Sequence, residues 1–141
     1  MHIVCPHCHK TNRVPEDKMA GNPQCGACNK ALFTGKPVEF GLAQLQRHVQ
    51  KSEVPLLVDF WAPWCGPCLQ MAPSFAEASA KLEPGVRLAK VNTEADQQAG
   101  AAYNIRSIPT MILFKGGQEI ARVSGAMDAQ TIENWVQQNK G

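Results

Sequence analysis

No stretch of this 141-residue sequence stays apolar for the roughly 20 residues that a bilayer crossing needs. An excess of charge is also missing, since the formal net charge is only +2. Residues 1–34 account for it, with Lys10, Arg13, Lys18 and Lys30 against Glu16 and Asp17, and the remainder carries ten residues of each sign. A nucleic-acid binder shows a clustered basic footprint, so no nucleic-acid partner is expected. Low-complexity tracts are lacking, and the only internal repeat is a pair of similar cysteine turns. Met1-His2-Ile3-Val4-Cys5-Pro6 has neither the basic start nor the apolar core of an export leader. The expectation is a soluble, cytoplasmic protein with no membrane association. A hydrophobic content of 44% with 18% charged residues excludes a disordered chain. The length suits one domain, or one domain and a small module.

Cysteine is what the sequence does have. Its six cysteines fall into three Cys-x-x-Cys pairs: Cys5/Cys8, Cys25/Cys28 and Cys65/Cys68. In a cytosolic chain such pairs point to metal binding or redox chemistry rather than to a disulfide scaffold. Sixteen residues separate Cys8 from Cys25, a spacing that matches four-cysteine zinc sites. Two residues between cysteines let a tight turn aim both sulfurs at one point, and two facing turns make a tetrahedron. Gly26 is expected to supply positive φ in the second turn. Residues 1–34 offer few large apolar side chains (Ile3, Val4, Val14, Met19, Leu32 and Phe33), so a metal is needed to offset the chain entropy of so short a module. Cys5, Cys8, Cys25 and Cys28 are the expected ligands of one structural Zn²⁺, with His7 and His9 as lesser candidates and a pair of disulfides as the alternative. Four thiolates leave no open position for catalysis at that metal. The ion and four thiolates together carry −2, which cancels the local basic excess.

Thr34-Gly35-Lys36-Pro37 punctuates the chain, and two domains are expected, 1–34 and 35–141. Beyond the break, Val38–Phe40 reads as a short strand and residues 42–51 as a helix with Leu42, Leu45 and Val49 on one side. Residues 54–60 are nearly continuous in apolar character, as in a central strand covered on both faces. A helix follows from Cys65 to Leu82. Residues 86–91 and 111–114 read as strands and 95–102 as a helix. Lys115-Gly116-Gly117-Gln118 reads as a hairpin turn and 119–123 as its return strand. A last helix starts at Asp128, with Ile132, Trp135 and Val136 expected in the core. This order predicts an α/β fold: a mixed central sheet with helices on both faces, preceded by a small zinc-ribbon-like module.

Cys65 and Cys68 lie at a strand–helix junction with Gly66 and Pro67 between them. Residues i and i+3 of a helix are about 5–6 Å apart at Cβ, close enough to close a disulfide with modest adjustment. Cys65 stands at the helix N-terminus, where free N–H groups and the macrodipole favour a thiolate. Cys68 is one turn further in. Cys65 is therefore the expected attacker of a client disulfide and Cys68 the resolving thiol.

Val58-Asp59-Phe60-Trp61-Ala62-Pro63-Trp64-Cys65-Gly66-Pro67-Cys68 closely resembles the active-site stretch of the thioredoxin family. Ile108-Pro109-Thr110 is similar to that family's cis-proline loop, and Pro73, Gly117 and Gly125 fall where its members have them. The resemblance covers about residues 37–141, and the added N-terminal cysteines resemble those of its zinc-binding bacterial members. It implies a thioredoxin fold and a protein-disulfide reductase with no organic cofactor. It also implies disulfide-containing client proteins and an NADPH-dependent thioredoxin reductase as electron donor. A monomer that serves electron transport and the response to oxidative stress is expected. By the same resemblance Asp59 accepts the proton of Cys68, Lys90 neighbours Asp59, and Pro109 is cis and faces Cys65. Trp64, Ile108, Pro109 and Gly125 contact the client. Leu69 departs from the pattern, since many family members have lysine after the second cysteine. Two other readings stay open: a zinc-ribbon binding module on a redox scaffold, and a net oxidase or isomerase. A zinc module that loses its metal to oxidants, and so covers or uncovers the redox pair, is a further expectation.

Overall fold

A computed structural model describes residues 1–141. Around the first four cysteines, each turn is closed in the same way. Cys5 N–H donates to the Lys10 carbonyl at 2.9 Å and His9 N–H to the Cys5 carbonyl at 3.0 Å. Cys25 N–H donates to the Lys30 carbonyl at 2.8 Å and Asn29 N–H to the Cys25 carbonyl at 2.9 Å. His9 and Asn29, the residues just after the turns, both have φ of 64°. The left-handed position expected at Gly26 therefore belongs to Asn29, a residue type that tolerates it through local hydrogen bonding. Gly26 instead donates its N–H to Asn12 Oδ1 at 2.9 Å. Strands β1 (His2–Val4) and β2 (Thr11–Arg13) form an antiparallel ribbon beside the first turn, and Gln24 bridges Ala31 beside the second. The buried interior is small: Ile3, Cys5, Val14, Cys25, Leu32 and Phe33, joined by Val54 from the larger domain.

Beyond it the order is β3 (Val38–Glu39), α1 (Leu42–Lys51), β4 (Leu56–Trp61), α2 (Gly66–Leu82), β5 (Arg87–Asn92), α3 (Gln97–Ala102), β6 (Thr110–Lys115), β7 (Gln118–Ser124) and α4 (Ala129–Asn139). The strands lie side by side as β3-β5-β4-β6-β7. Pairing is parallel for β3/β5 and β4/β5, and antiparallel for β4/β6 and β6/β7. This is the mixed sheet expected from the element order, because crossovers through helices yield parallel neighbours and hairpins antiparallel ones. Gly116 and Gly117 have φ of 63° and 81°, which the two-residue turn between β6 and β7 demands.

β4 is apolar almost throughout because both of its faces are covered. Leu56, Val58 and Phe60 point to one side, where α1 and α3 contribute Leu45, Val49 and Ala99. Leu57 points to the other, against Met71, Phe75 and Leu82 of α2 and Ile132 and Val136 of α4. Each such side chain stabilises by about 1.5–3 kcal/mol through burial. Trp135, expected in the core, is half-buried at its margin, because α4 is covered only along the line of Ile132 and Val136. No helix is long and apolar enough to cross a membrane.

The two parts meet along α1, the end of α2 and the start of β5. Glu53 N–H donates to the His2 carbonyl at 2.8 Å, and His2 N–H returns to Glu53 Oε1 at 2.8 Å. His9 Nδ1 is 3.1 Å from Nε2 of the buried His48, and Arg47 Nε donates to the His9 carbonyl. Arg87 reaches from β5 to the Val4 carbonyl at 3.3 Å.

Candidate active site and metal centre

The central strand β4 ends at Trp61, and the turn through Ala62-Pro63-Trp64 brings Cys65 to the N-cap of α2. Pro67, near the start of this helix, suits a position whose N–H has no intrahelical partner. Cys65 and Cys68 are joined in a disulfide with Cα atoms 5.2 Å apart. Sγ of Cys65 accepts the Cys68 backbone N–H at 3.2 Å, an interaction that grows stronger when the sulfur becomes a thiolate. Both cysteines are buried with Ala62, and Trp61 and Ile108 pack around them. Cys65 and Cys68 thus meet at the head of α2.

Ile108–Pro109 is a cis peptide. It places the Ile108 carbonyl oxygen 3.7 Å from Cys65 Sγ. The loop is pinned from behind: Gly125 N–H donates to the Pro109 carbonyl at 2.9 Å, and Thr110 Oγ1 donates to the Ser107 carbonyl at 2.6 Å. Gly125 has φ of 104°, a conformation that requires glycine. Around the pair, Trp64 is 69% exposed and Leu69 52% exposed, so two large apolar side chains border the disulfide. Trp64 is held in place by donation from Nε1 to Glu94 Oε2 at 3.0 Å, a contact over thirty residues that no local pattern in the sequence announces.

Asp59 is fully buried, and neither carboxylate oxygen has a hydrogen-bond partner. Burial pushes its pKa up from 3.8 to about 7, with Lys90 acting against the shift and Glu39 with it. Lys90 is the register partner of Asp59 on β5, and its Nζ lies 4.5 Å from the centre of the Trp61 ring. A carboxyl group poised near neutrality is suited to accepting and returning protons.

At the other end of the molecule the four remaining cysteines converge. All four Sγ atoms lie within 4.8 Å of one another, with Cys5–Cys28 at 3.7 Å and Cys8–Cys25 at 3.6 Å. Zinc bound by four sulfurs at about 2.3 Å sets neighbouring sulfurs about 3.8 Å apart, so the cluster fits that ion. Backbone N–H groups of His7 and Ala27 donate to Cys5 and Cys25 Sγ at 3.3 and 3.4 Å, and Asn12 Nδ2 donates to Cys25 Sγ at 3.4 Å. The Cys28 N–H, followed by these Asn12 and Ala27 donors, pushes the Cys25 thiol down toward the thiolate form that a metal needs, against the effect of burial. His7 and His9 are not part of the cluster: His7 Nε2 is 3.1 Å from the Ala31 carbonyl oxygen, and His9 meets His48.

The contacts of this module run along α1 through Arg47 and His48, to Glu53 and to Arg87 at the start of β5, whereas Cys65 caps the opposite end of α2 from Glu83. Seventeen helical residues separate the two ends by about 25 Å. In this arrangement the module docks where β4 and β5 begin, and the redox pair lies where β4 ends.

Comparison with known proteins agrees with both halves. Residues 37–138 match the family model described as Thioredoxin, and residues 4–30 match a zinc-ribbon model described as Thioredoxin 2, N-terminal. Thioredoxin C-3 of Corynebacterium nephridii is 45% identical over 138 residues, covering 98% of this chain and 94% of that protein. Thioredoxin 1 of a Nostoc species is 44% identical over 94 residues, covering 67% and 88%. Thioredoxin of Haemophilus influenzae is 38% identical over 97 residues, covering 69% and 91%.

Proposed function

The chain belongs to the thioredoxin family, and on that premise we propose how its residues divide the work of reducing protein disulfides. It is a thiol–disulfide oxidoreductase, and the observation that carries the assignment of roles is the Cys65–Cys68 pair at the head of α2 against the Ile108–Pro109 loop. In the reduced enzyme the Cys65 thiolate attacks one sulfur of a client disulfide. A Cys65–client bond forms, the client disulfide breaks, and the released client sulfur leaves as a thiolate. Asp59 takes the proton of Cys68, whose sulfur then attacks Cys65 Sγ. The mixed disulfide breaks, the second client sulfur leaves, and the Cys65–Cys68 disulfide remains. Two electrons and two protons restore the dithiol, supplied by an NADPH-dependent thioredoxin reductase.

Client binding falls to Trp64, Ile108, Pro109 and Gly125. Trp64 offers exposed apolar area, and the Ile108–Pro109 segment offers backbone next to the attacking sulfur. Lys90 limits how far burial raises the Asp59 carboxyl. The domain division is 1–34 and 35–141, in keeping with the two matched spans. One Zn²⁺ held by Cys5, Cys8, Cys25 and Cys28 supplies cross-linking free energy to the small module, with all four positions filled by thiolate. A monomer acting in the cytoplasm, with service under oxidative stress, completes the reading.

The assignment of roles is tested by trapping. Cys68→Ser accumulates covalent adducts with a disulfide-bonded client, because the mixed disulfide is no longer resolved. Cys65→Ser accumulates none. The opposite pattern would overturn the order of attack.

A further inference from the structure

Three ionisable residues stand in one row across three neighbouring strands. Glu39 of β3 is the register partner of Lys90 on β5, and Lys90 is the register partner of Asp59 on β4. Side chains opposite each other in paired strands share a face of the sheet. Two observations confirm the face. Phe40, the next residue after Glu39, packs on the opposite side of the sheet with Val58 and Ala89. Lys90 Nζ lies over the ring of Trp61, which shares its side of β4 with Asp59 by the two-residue alternation of a strand. The Lys90 ammonium thus has a carboxylate on each side. One belongs to Asp59, buried and without a hydrogen bond. The other belongs to Glu39, at the exposed edge of the sheet.

We infer that Glu39 is a positioning residue for the proton-transfer step: it draws the Lys90 ammonium away from Asp59 and so strengthens Asp59 as a base. The inference rests on Asp59 being the proton acceptor. Beyond Lys90, the groups that face Asp59 are few. Met111 pairs with it on β6 and carries no charge. α2 brings Cys65 and Cys68, which are uncharged as a disulfide. The Trp61 indole N–H has no well-formed hydrogen bond of its own and offers Glu39 a donor. Glu39 is itself raised, by burial first, with Lys90 and that indole acting against the shift. The same carboxylate adds to the upward shift of Asp59. Without Glu39, Lys90 has one carboxylate left to serve and the repulsion between the two acids is gone. Both changes make Asp59 easier to ionise.

Two inter-strand steps place the acids about 9–10 Å apart. At that separation, with one partner near solvent, the Coulomb interaction corresponds to about half a unit to one unit of proton affinity. The test follows the carbon-13 carboxyl resonance of Asp59 against pH in the oxidised, zinc-loaded full chain, beside the pH profile of disulfide reduction. Glu39→Gln lowers the Asp59 midpoint by that amount, and the acid limb of the rate profile follows it. Glu39→Asp, which keeps the charge, restores most of the wild-type midpoint. In an Asp59→Asn background Glu39→Gln moves the rate profile no further. An unmoved Asp59 midpoint in Glu39→Gln overturns the inference, as does an equal shift in Glu39→Asp, which would point to shape rather than charge. A shifted midpoint with a stationary rate profile overturns instead the reading of Asp59 as proton acceptor, and with it the part of Glu39 in the reaction.

Discussion

Arg87→Met should loosen the hold between the zinc module and the redox domain while leaving the chemistry alone. Arg87 is 1% exposed. Its Nη1 is 3.9 Å from Glu83 Oε2, and both side chains are only 2% exposed. Its Nη2 donates to the Val4 carbonyl at 3.3 Å, and its guanidinium carbon lies 4.2 Å from the Phe33 ring centre. Burial pushes its pKa down to about 10, with Glu83 and then Cys5 acting against the shift, so it stays charged at neutral pH. Removing one partner of a buried ion pair costs about 3–5 kcal/mol, because the other charge is left uncompensated. Glu83 is not stranded entirely, since Gly35 N–H and Leu88 N–H donate to it at 3.0 and 3.3 Å. It can also take up a proton, burial having already raised its pKa. These two outlets put the expected cost near the lower bound, about 3 kcal/mol, with the lost Phe33 contact included. Adding Glu83→Gln should recover about half or more of the loss, because no unpaired charge is then buried. Urea unfolding of the zinc-loaded protein at pH 7, followed by circular dichroism and tryptophan fluorescence, reads both variants. Disulfide reduction at 25 °C should stay near wild type, since Arg87 begins β5, far from the Cys65 end of α2. A cost below about 1 kcal/mol, or a double variant as unstable as the single one, would refute the reasoning.

Asp59→Asn should stabilise the oxidised protein in a pH-dependent way. The carboxyl titrates near 7 when folded against an ordinary 3.8, so ionisation adds no penalty below about pH 4, where both states are protonated. The penalty then grows as pH rises through 7, to an upper limit on the order of 4 kcal/mol; equal gains at pH 4 and pH 8 would contradict this. Zinc chelation should abolish amide dispersion for residues 1–34 in NMR spectra and leave most disulfide-reductase activity in place; a module unchanged by chelation would refute the metal's structural role. Leu69→Lys places a cation one turn from Cys65 on an exposed position, and alkylation of reduced Cys65 at pH 6 should quicken by about twofold; no change would remove Leu69 as a factor in its reactivity.

Much of the local structure around the redox pair is legible in the sequence. Near-unbroken apolarity from residue 54 to 60 marked a strand covered on both faces, and the strand–turn–helix order put Cys65 at a helix start. The repeated Cys-x-x-Cys spacing marked the four cysteines that converge, because the two turns close through hydrogen bonds within five residues. Other features were not legible. Gly26 looked like the residue of unusual φ, yet the turn hands that conformation to the residue after its second cysteine. Trp135 kept the apolar spacing of α4 but lies at the margin of its buried face. Glu94, which steadies Trp64, gave no signal, because a lone acid in a polar loop has no periodicity.

What the sequence determined by itself is local: most helices and strands beyond residue 37, which cysteines share a turn, and which of those turns opens a helix, whereas the short ribbon of β1 and β2 had no pattern of its own. Propensity, alternation and spacing act over a few residues, so a linear reading can recover them. The tertiary structure alone decided what lies opposite what. Strand order brought Glu39, Lys90 and Asp59 into one row, and the docking of the module set Arg87 beneath Val4 and Phe33, 83 residues from Val4 in the chain. It also placed the four clustered cysteines at the far end of α2 from the redox pair. Such pairings depend on which surfaces bury each other, and this is settled by the packing of the whole chain.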